Sequence, residues 1–233
     1  MEGSSGIALS ISGGGHRAAA FGLGTIAMLQ EFHLMETVVV LSTVSGGSLV
    51  GSFYLAAKAK AIGEAASGGD GVAQALQDWQ ATGFAGGFFE PFRAFLHSRT
   101  LAEQLVQHLL PIGNQTKLIC GAAQRVHELL ERYRYPSSLG HPSLRKLLES
   151  GQVRPDHVFF NATDLTSLDL FRFGVTRAVD EASGAFLERD GHSGCFVVNN
   201  VRIAVTPQGD DPDSQLASDL AADLRLADCV AAS

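Results

Sequence analysis

Ile7-Ala8-Leu9-Ser10-Ile11-Ser12-Gly13-Gly14-Gly15-His16-Arg17 is the stretch on which the reading of this chain turns. A short apolar run that favours extended backbone stops at a serine and three successive glycines. Its length and the glycine stop predict a strand, not a helix. From Arg17 to Phe32 the composition becomes rich in Ala and Leu, and Phe21, Ile26 and Leu29 recur at helical spacing. Val38-Val39-Val40-Leu41 is a second, uncharged and largely β-branched run, as expected of a strand buried on both faces. It stops at Ser42-Thr43, and a second helical pattern follows Gly46 through Leu49, Val50, Phe53, Tyr54 and Leu55. Strand, glycine turn, helix, strand, sharp turn, helix is the signature of an α/β fold with parallel strands joined by helical crossovers.

Outward from this core the pattern loosens. Residues 63–71 are Gly-rich and predict a loop. Residues 72–110 read as helical, apart from the glycine-containing, Phe-rich stretch at 83–96. Further helices are expected at 124–135 and 143–149, and a third strand at Val158–Ala162. Leu170–Phe173 and Cys195–Val198 are candidate short strands, and an amphipathic helix runs from Gln215 to Ala231-Ala232-Ser233. There is no internal repeat and no clear linker, so residues 1–233 are expected to form one domain.

Composition narrows the functional classes. The chain has 233 residues, 45% hydrophobic and 18% charged, which suits a globular domain. Its net charge of −7 argues against sequence-independent nucleic-acid binding, which depends on Lys and Arg neutralising phosphates. The three cysteines, Cys120, Cys195 and Cys229, are far apart and fit neither a disulfide framework nor metal-ligand spacing. They read as buried free thiols, and no cofactor or metal is expected. No stretch approaches the ~20 apolar residues of a membrane span, and the N-terminus has no signal-type segment. A cytoplasmic or peripheral membrane location is the expectation.

Two motifs carry chemistry. The second strand runs into Thr43-Val44-Ser45-Gly46-Gly47. A serine on a sharp strand-to-helix turn has its hydroxyl lifted clear of the backbone, and small neighbours allow so tight a turn. The helix that follows aims its N-terminal N–H groups, Gly46 among them, at a developing oxyanion. The usual form is Gly-x-Ser-x-Gly, and here Thr43 replaces the first glycine. The plain alternative is that Ser45 only caps the helix. The first strand runs into Gly13-Gly14-Gly15, whose N–H groups can donate to an anion unobstructed. In acyl transfer each such donor is worth about 10²–10³ in rate. The competing reading is a phosphate loop, but Gly-x-x-x-x-Gly-Lys-Ser/Thr is absent, and Gly-x-Gly-x-x-Gly fails at Ala18.

Ser12-Gly13-Gly14-Gly15-His16-Arg17-Ala18-Ala19 followed by Ser42-Thr43-Val44-Ser45-Gly46-Gly47-Ser48 resembles the patatin-like phospholipases and their cytosolic phospholipase A2 relatives. Asn161-Ala162-Thr163-Asp164-Leu165 with Phe171-Arg172-Phe173-Gly174 is similar to that family's central strand and hairpin, and Leu226–Ser233 to its alanine-rich helix. The resemblance runs from Ile7 to Ser233. It implies a three-layer α/β/α sandwich around a mostly parallel sheet and a lipid or phospholipid substrate met at a membrane surface. It also implies a Ser–Asp dyad in place of a triad, with Ser45 as nucleophile and Gly13, Gly14, Gly15 and Gly46 around the oxyanion. Arg17 matches the basic residue after the glycines, suited to a phosphate head group or to bracing the loop; a surface salt bridge is its bland role.

The family's Asp-Gly motif follows the alanine-rich helix, and the sequence stops at Ser233. Asp70-Gly71 and Asp190-Gly191 precede that helix and read as turns, and Asp164 reads as structural. The expectation is a chain truncated before its general base, crippled in rate and prone to self-association through an unpaired edge. Three rivals remain: an α/β-hydrolase with His157 or His192 as base, an anion- or nucleotide-binding module using Gly13–Gly15, and an inactive lipid-binding fragment. The Phe-rich stretch at 83–96 is either a lid that meets lipid or ordinary core.

Overall fold

The computed structural model describes residues 6–67, 71–97, 143–144, 155–164, 167–177, 194–204 and 212–233. Asp70, Asp190, His192, Cys120, the helix expected at 124–135 and most of that expected at 143–149 lie outside them.

The chain forms an α/β fold on a six-stranded mixed sheet. Strands β1 (Ile7–Ile11), β2 (Val38–Val44), β3 (His157–Thr163), β4 (Leu170–Arg177), β5 (Gly194–Val198) and β6 (Val201–Ala204) lie side by side in that order. β1–β2 and β2–β3 are parallel, while β3–β4, β4–β5 and β5–β6 are antiparallel. The expected mostly parallel sheet is therefore corrected to a mixed one. For β3–β4 and β5–β6 the physical reason is connection length: a few residues are too short for the crossover that parallel strands need. β5 and β6 are joined by Asn199-Asn200 alone, both with positive φ (49° and 64°), as a tight hairpin turn demands.

Helix α1 (Gly15–Glu31) carries the chain from β1 back to β2. It closes with His33 in the left-handed region, where Leu34 N–H reaches the Leu29 carbonyl and His33 N–H the Gln30 carbonyl. This pairing satisfies carbonyls that a helix end otherwise leaves open. Helix α2 (Gly46–Ser67) follows β2 and continues through the predicted loop start at Gly63. Residues 50–56 of α2 are all buried, as in a helix surrounded by protein. Lys58 is fully buried on α2 and bonds both carboxylate oxygens of Glu36, at 2.7 and 2.9 Å.

The Phe-rich stretch is helical, contrary to the expectation of an interruption there. Helix α3 (Val72–Asp78) passes through π-helical turns at Trp79–Gly83 and Ala85–Phe89 into α4 (Glu90–His97). Phe84, Phe88, Phe92 and Phe95 repeat at helical spacing, and the last three are buried. They stack with Phe53, Tyr54 and Trp79 in one aromatic cluster, with ring centroids 5.1–6.2 Å apart. Burying each such ring contributes about 1.5–3 kcal/mol. The plain core reading of this stretch is the one its burial supports.

The C-terminal helix is two helices. α5 (Pro212–Asp223) ends where Arg225 turns extended and pairs with Ser143, and α6 (Leu226–Ala232) restarts behind it. Leu226, Ala227, Cys229 and Val230 of α6 are buried in the main core. Burial pushes the Cys229 thiol far up, and it also raises that of half-buried Cys195. Both are free cysteines, which fits the buried-thiol reading. Among the described residues no helix is long and apolar enough to cross a membrane.

Candidate functional site

β1 and β2 run parallel with Ile11 beside Thr43, so their carboxyl ends lie together. The glycine loop leaves one and the serine turn leaves the other, at the end of the sheet where α/β folds place their sites. Ser45 sits between β2 and α2 with φ +53°. This left-handed conformation is uncommon for a residue with a Cβ, and such strain costs on the order of 1–3 kcal/mol where surroundings enforce it. The Ser45 carbonyl accepts the first helical bond of α2, from Leu49 N–H at 3.1 Å. Its side chain does not act as a cap: among the described residues none hydrogen-bonds the Ser45 hydroxyl, and Ser45 is exposed.

The glycines are packed against this turn. A Cβ on Gly13 would stand 3.2 Å from that of Ser45. Gly46 lies so close to the loop that a Cβ there would fall 2.0 Å from the Gly15 carbonyl oxygen. At Gly47 it would meet the Ile11 and Ser12 carbonyl oxygens at 2.5 and 2.9 Å. Gly14 and Gly15 have φ of +140° and +58°, a course that side chains would resist. Gly13, Gly14 and Gly15 are exposed. Gly46 is the first residue of α2 and Gly15 the first of α1, so two helix N-termini converge beside the Ser45 hydroxyl.

Arg17 is exposed in the first turn of α1. His16 instead ties that turn to the end of α4, its Nε2 lying 2.5 Å from the Leu96 carbonyl. His157 is removed from Ser45. It pairs with Val40 at the opposite end of β2, four residues before the pairing of Asn161 with Val44, and four strand residues span about 13 Å. That separation places His157 out of hydrogen-bond reach of Ser45 in this structure. Burial lowers the pKa of His157, against the opposing pull of Asp156. Asp164 follows β3 in a turn closed by its N–H to the Asp169 carbonyl at 2.9 Å.

The structure adds residues that sequence reasoning did not single out. Asn161 on β3 donates through Nδ2 to Ser42 Oγ at 2.9 Å and to the Thr43 carbonyl at 3.0 Å, locking the end of β2. Ser48, fully buried one helical turn into α2, donates to Thr43 Oγ1 at 3.1 Å. Ser233 Oγ lies 2.7 Å from Ser48 Oγ and accepts the Ser45 backbone N–H at 3.0 Å. These contacts join residues 118 to 188 positions apart or hide inside a run of small polar residues, so no local pattern announces them. Among the described residues no group of three His, Cys, Asp or Glu side chains is placed to hold a metal ion.

No family model matches this chain, and neither a curated protein nor a solved structure matches it.

Proposed function

We propose that this chain is a serine carboxylic-ester hydrolase of the patatin-like kind, acting on lipid or phospholipid esters. The observation that carries the reading is Ser45 itself: an exposed serine at φ +53° on a strand-to-helix turn, with a glycine loop packed against it. A capping serine does not need that backbone conformation, whereas a nucleophile held above a tight turn does. An anion-binding loop needs the glycines but not the serine beside them.

On this reading Ser45 Oγ attacks the ester carbonyl while its proton passes to the carboxylate of the implied Ser–Asp dyad, which hands it on to the departing alkoxide. The N–H groups of Gly13, Gly14, Gly15 and Gly46 stabilise the tetrahedral oxyanion, the alcohol leaves, and water releases the acyl group from the serine. The glycine donors are fixed before the reaction, so no reorganisation is needed as charge develops. Arg17, at the mouth of the loop, suits the phosphate of a head group. The resemblance implies a direct Ser–Asp dyad within a three-layer α/β/α sandwich. The aspartate of that dyad is not assigned to a described residue.

Support for an interfacial substrate comes from α1. Phe21, Met28 and Phe32 are 78%, 53% and 66% exposed and share one helix face that starts beside the loop. Such a stripe suits transient contact with a lipid surface.

The test is fluorophosphonate labelling read by intact mass, on the chain and on Ser45→Ala. A single adduct that disappears in Ser45→Ala supports the hydrolase. Phosphate binding by a chain that never labels would transfer the glycine loop to an anion-binding role.

A further inference from the structure

We infer that Ser233 is a positioning residue for the nucleophile turn, a role that rests on the hydrolase reading of Ser45. Its hydroxyl sits at the one place where β3, the serine turn and α2 meet. It donates to the Asn161 carbonyl at 2.5 Å, accepts the Ser45 N–H at 3.0 Å and lies 2.7 Å from Ser48 Oγ.

Proton counting fixes the directions. Thr43 Oγ1 donates to the Phe159 carbonyl at 3.2 Å, and the Asn161 carbonyl can only accept. Thr43 and Ser233 have therefore spent their single hydroxyl protons. The single Ser48 proton then serves one neighbour at a time, Thr43 Oγ1 or Ser233 Oγ. Ser233 Oγ thus donates to the Asn161 carbonyl and accepts from the Ser45 N–H, and its second lone pair receives the Ser48 hydroxyl when that proton turns toward it. A hydroxyl anchored at once as donor and as acceptor holds one orientation, and the Ser45 N–H is held with it.

This has two consequences for the reaction centre. The Ser45 N–H points to Ser233 and is withdrawn from the oxyanion, which leaves the donors of Gly13–Gly15 and Gly46 to hold the charge. The same bond opposes relaxation of Ser45 out of its left-handed conformation. Asn161 completes the clamp from the other side: its side chain holds Ser42 and Thr43 while its carbonyl holds Ser233. Ser233→Ala leaves the Ser45 N–H and the Asn161 carbonyl without this partner, and Ser233→Thr keeps the hydroxyl.

The experiment measures fluorophosphonate labelling of the full chain against probe concentration, for wild type, Ser233→Ala and Ser233→Thr. Melting curves confirm that each is folded at the assay temperature. Loss of one hydrogen bond at the turn is expected to lower the maximal labelling rate by about 10-fold. The half-saturating probe concentration stays unchanged, and threonine restores the rate. A general structural weakening would move the melting curve and not this rate split. Equal maximal rates in wild type and Ser233→Ala would overturn the inference and leave the hydrolase standing. If wild type itself does not label, Ser45 is not activated in this chain and the rate comparison is replaced. Amide exchange at Ser45 then decides: faster exchange in Ser233→Ala supports the clamp, and unchanged exchange ends it.

Discussion

Two regions of this molecule are rich in glycine, and they use it in opposite ways. Around the serine turn, Gly46 and Gly47 let backbone approach backbone, and any Cβ would run into carbonyl oxygens at 2.0–2.9 Å. In the aromatic segment, a Cβ on Gly83 would come closest to the Trp79 ring, at 3.2 Å, with the Asp78 carbonyl oxygen at an ordinary 3.4 Å; one on Gly87 would meet only that ring, at 3.4 Å, and one on Gly86 nothing within 4 Å. The first arrangement is rigid because two main chains share the space. The second is forgiving because a ring can shift by a few tenths of an ångström. Glycine density alone therefore cannot tell a site from a core segment.

The largest effect expected is on stability, in the aromatic region. Phe92 is fully buried, with ring centroids 5.1–5.8 Å from Phe53, Phe88 and Phe95. Phe92→Ala should cost about 3–5 kcal/mol in a denaturant titration, while the molecules that remain folded label at Ser45 as before. Slower labelling at unchanged stability would break the comparison and restore a lid role to this segment.

Next comes Gly46→Ala. The new methyl must displace the Gly15 carbonyl, and with it the glycine loop. Labelling of Ser45 should fall by about 10²-fold or more, a far larger loss than overpacking alone explains. Normal labelling would mean that the close approach of loop and helix does not set the donor geometry. The same chemical change at Gly86, exposed and helical, should stabilise the fold by about 0.5–1 kcal/mol through lost chain entropy. A destabilised Gly86→Ala would show that the π-helical turns need that glycine for a reason other than space.

The smallest effect touches neither region. Burial lowers the folded-state pKa of His157 from its ordinary 6.5. Below pH ~6.5 the unfolded chain then binds more protons than the folded one. The His157 contribution should fall as pH drops from that value and level off below the folded-state pKa. Urea midpoints between pH 5 and 8 should show this slope, and His157→Gln should flatten it. Because His157 lies at the far end of β3, the labelling rate of folded protein should ignore the substitution.

Sequence patterns were legible where the signal is local. The two strands, the two helices and the two small-residue turns of the first 60 residues appear where periodicity and glycine stops place them. Elsewhere, competing local signals misled. Gly83, Gly86 and Gly87 read as breakers, although the recurrence of Phe at helical spacing around them was the stronger pattern. β6 is short, and its one local signal is Asn199-Asn200, a two-residue turn between Val198 and Val201. The break at Arg225 depends on pairing with Ser143, a contact between distant positions. Of the candidate site, Ser45 and the glycines were visible as motifs. Asn161 reads locally as part of a strand and Ser233 as a helix end, because their contacts reach across the chain.

The bond from Ser45 to Ser233 joins residues 188 positions apart. A ribosome adding about 5–20 residues per second needs roughly 10–40 s to travel that distance. Throughout that interval the serine, its glycine loop and both flanking strands already exist, but the hydroxyl that holds the turn has not been made. The nascent chain therefore carries its candidate nucleophile without the clamp, and the turn becomes fully held only when α6 docks.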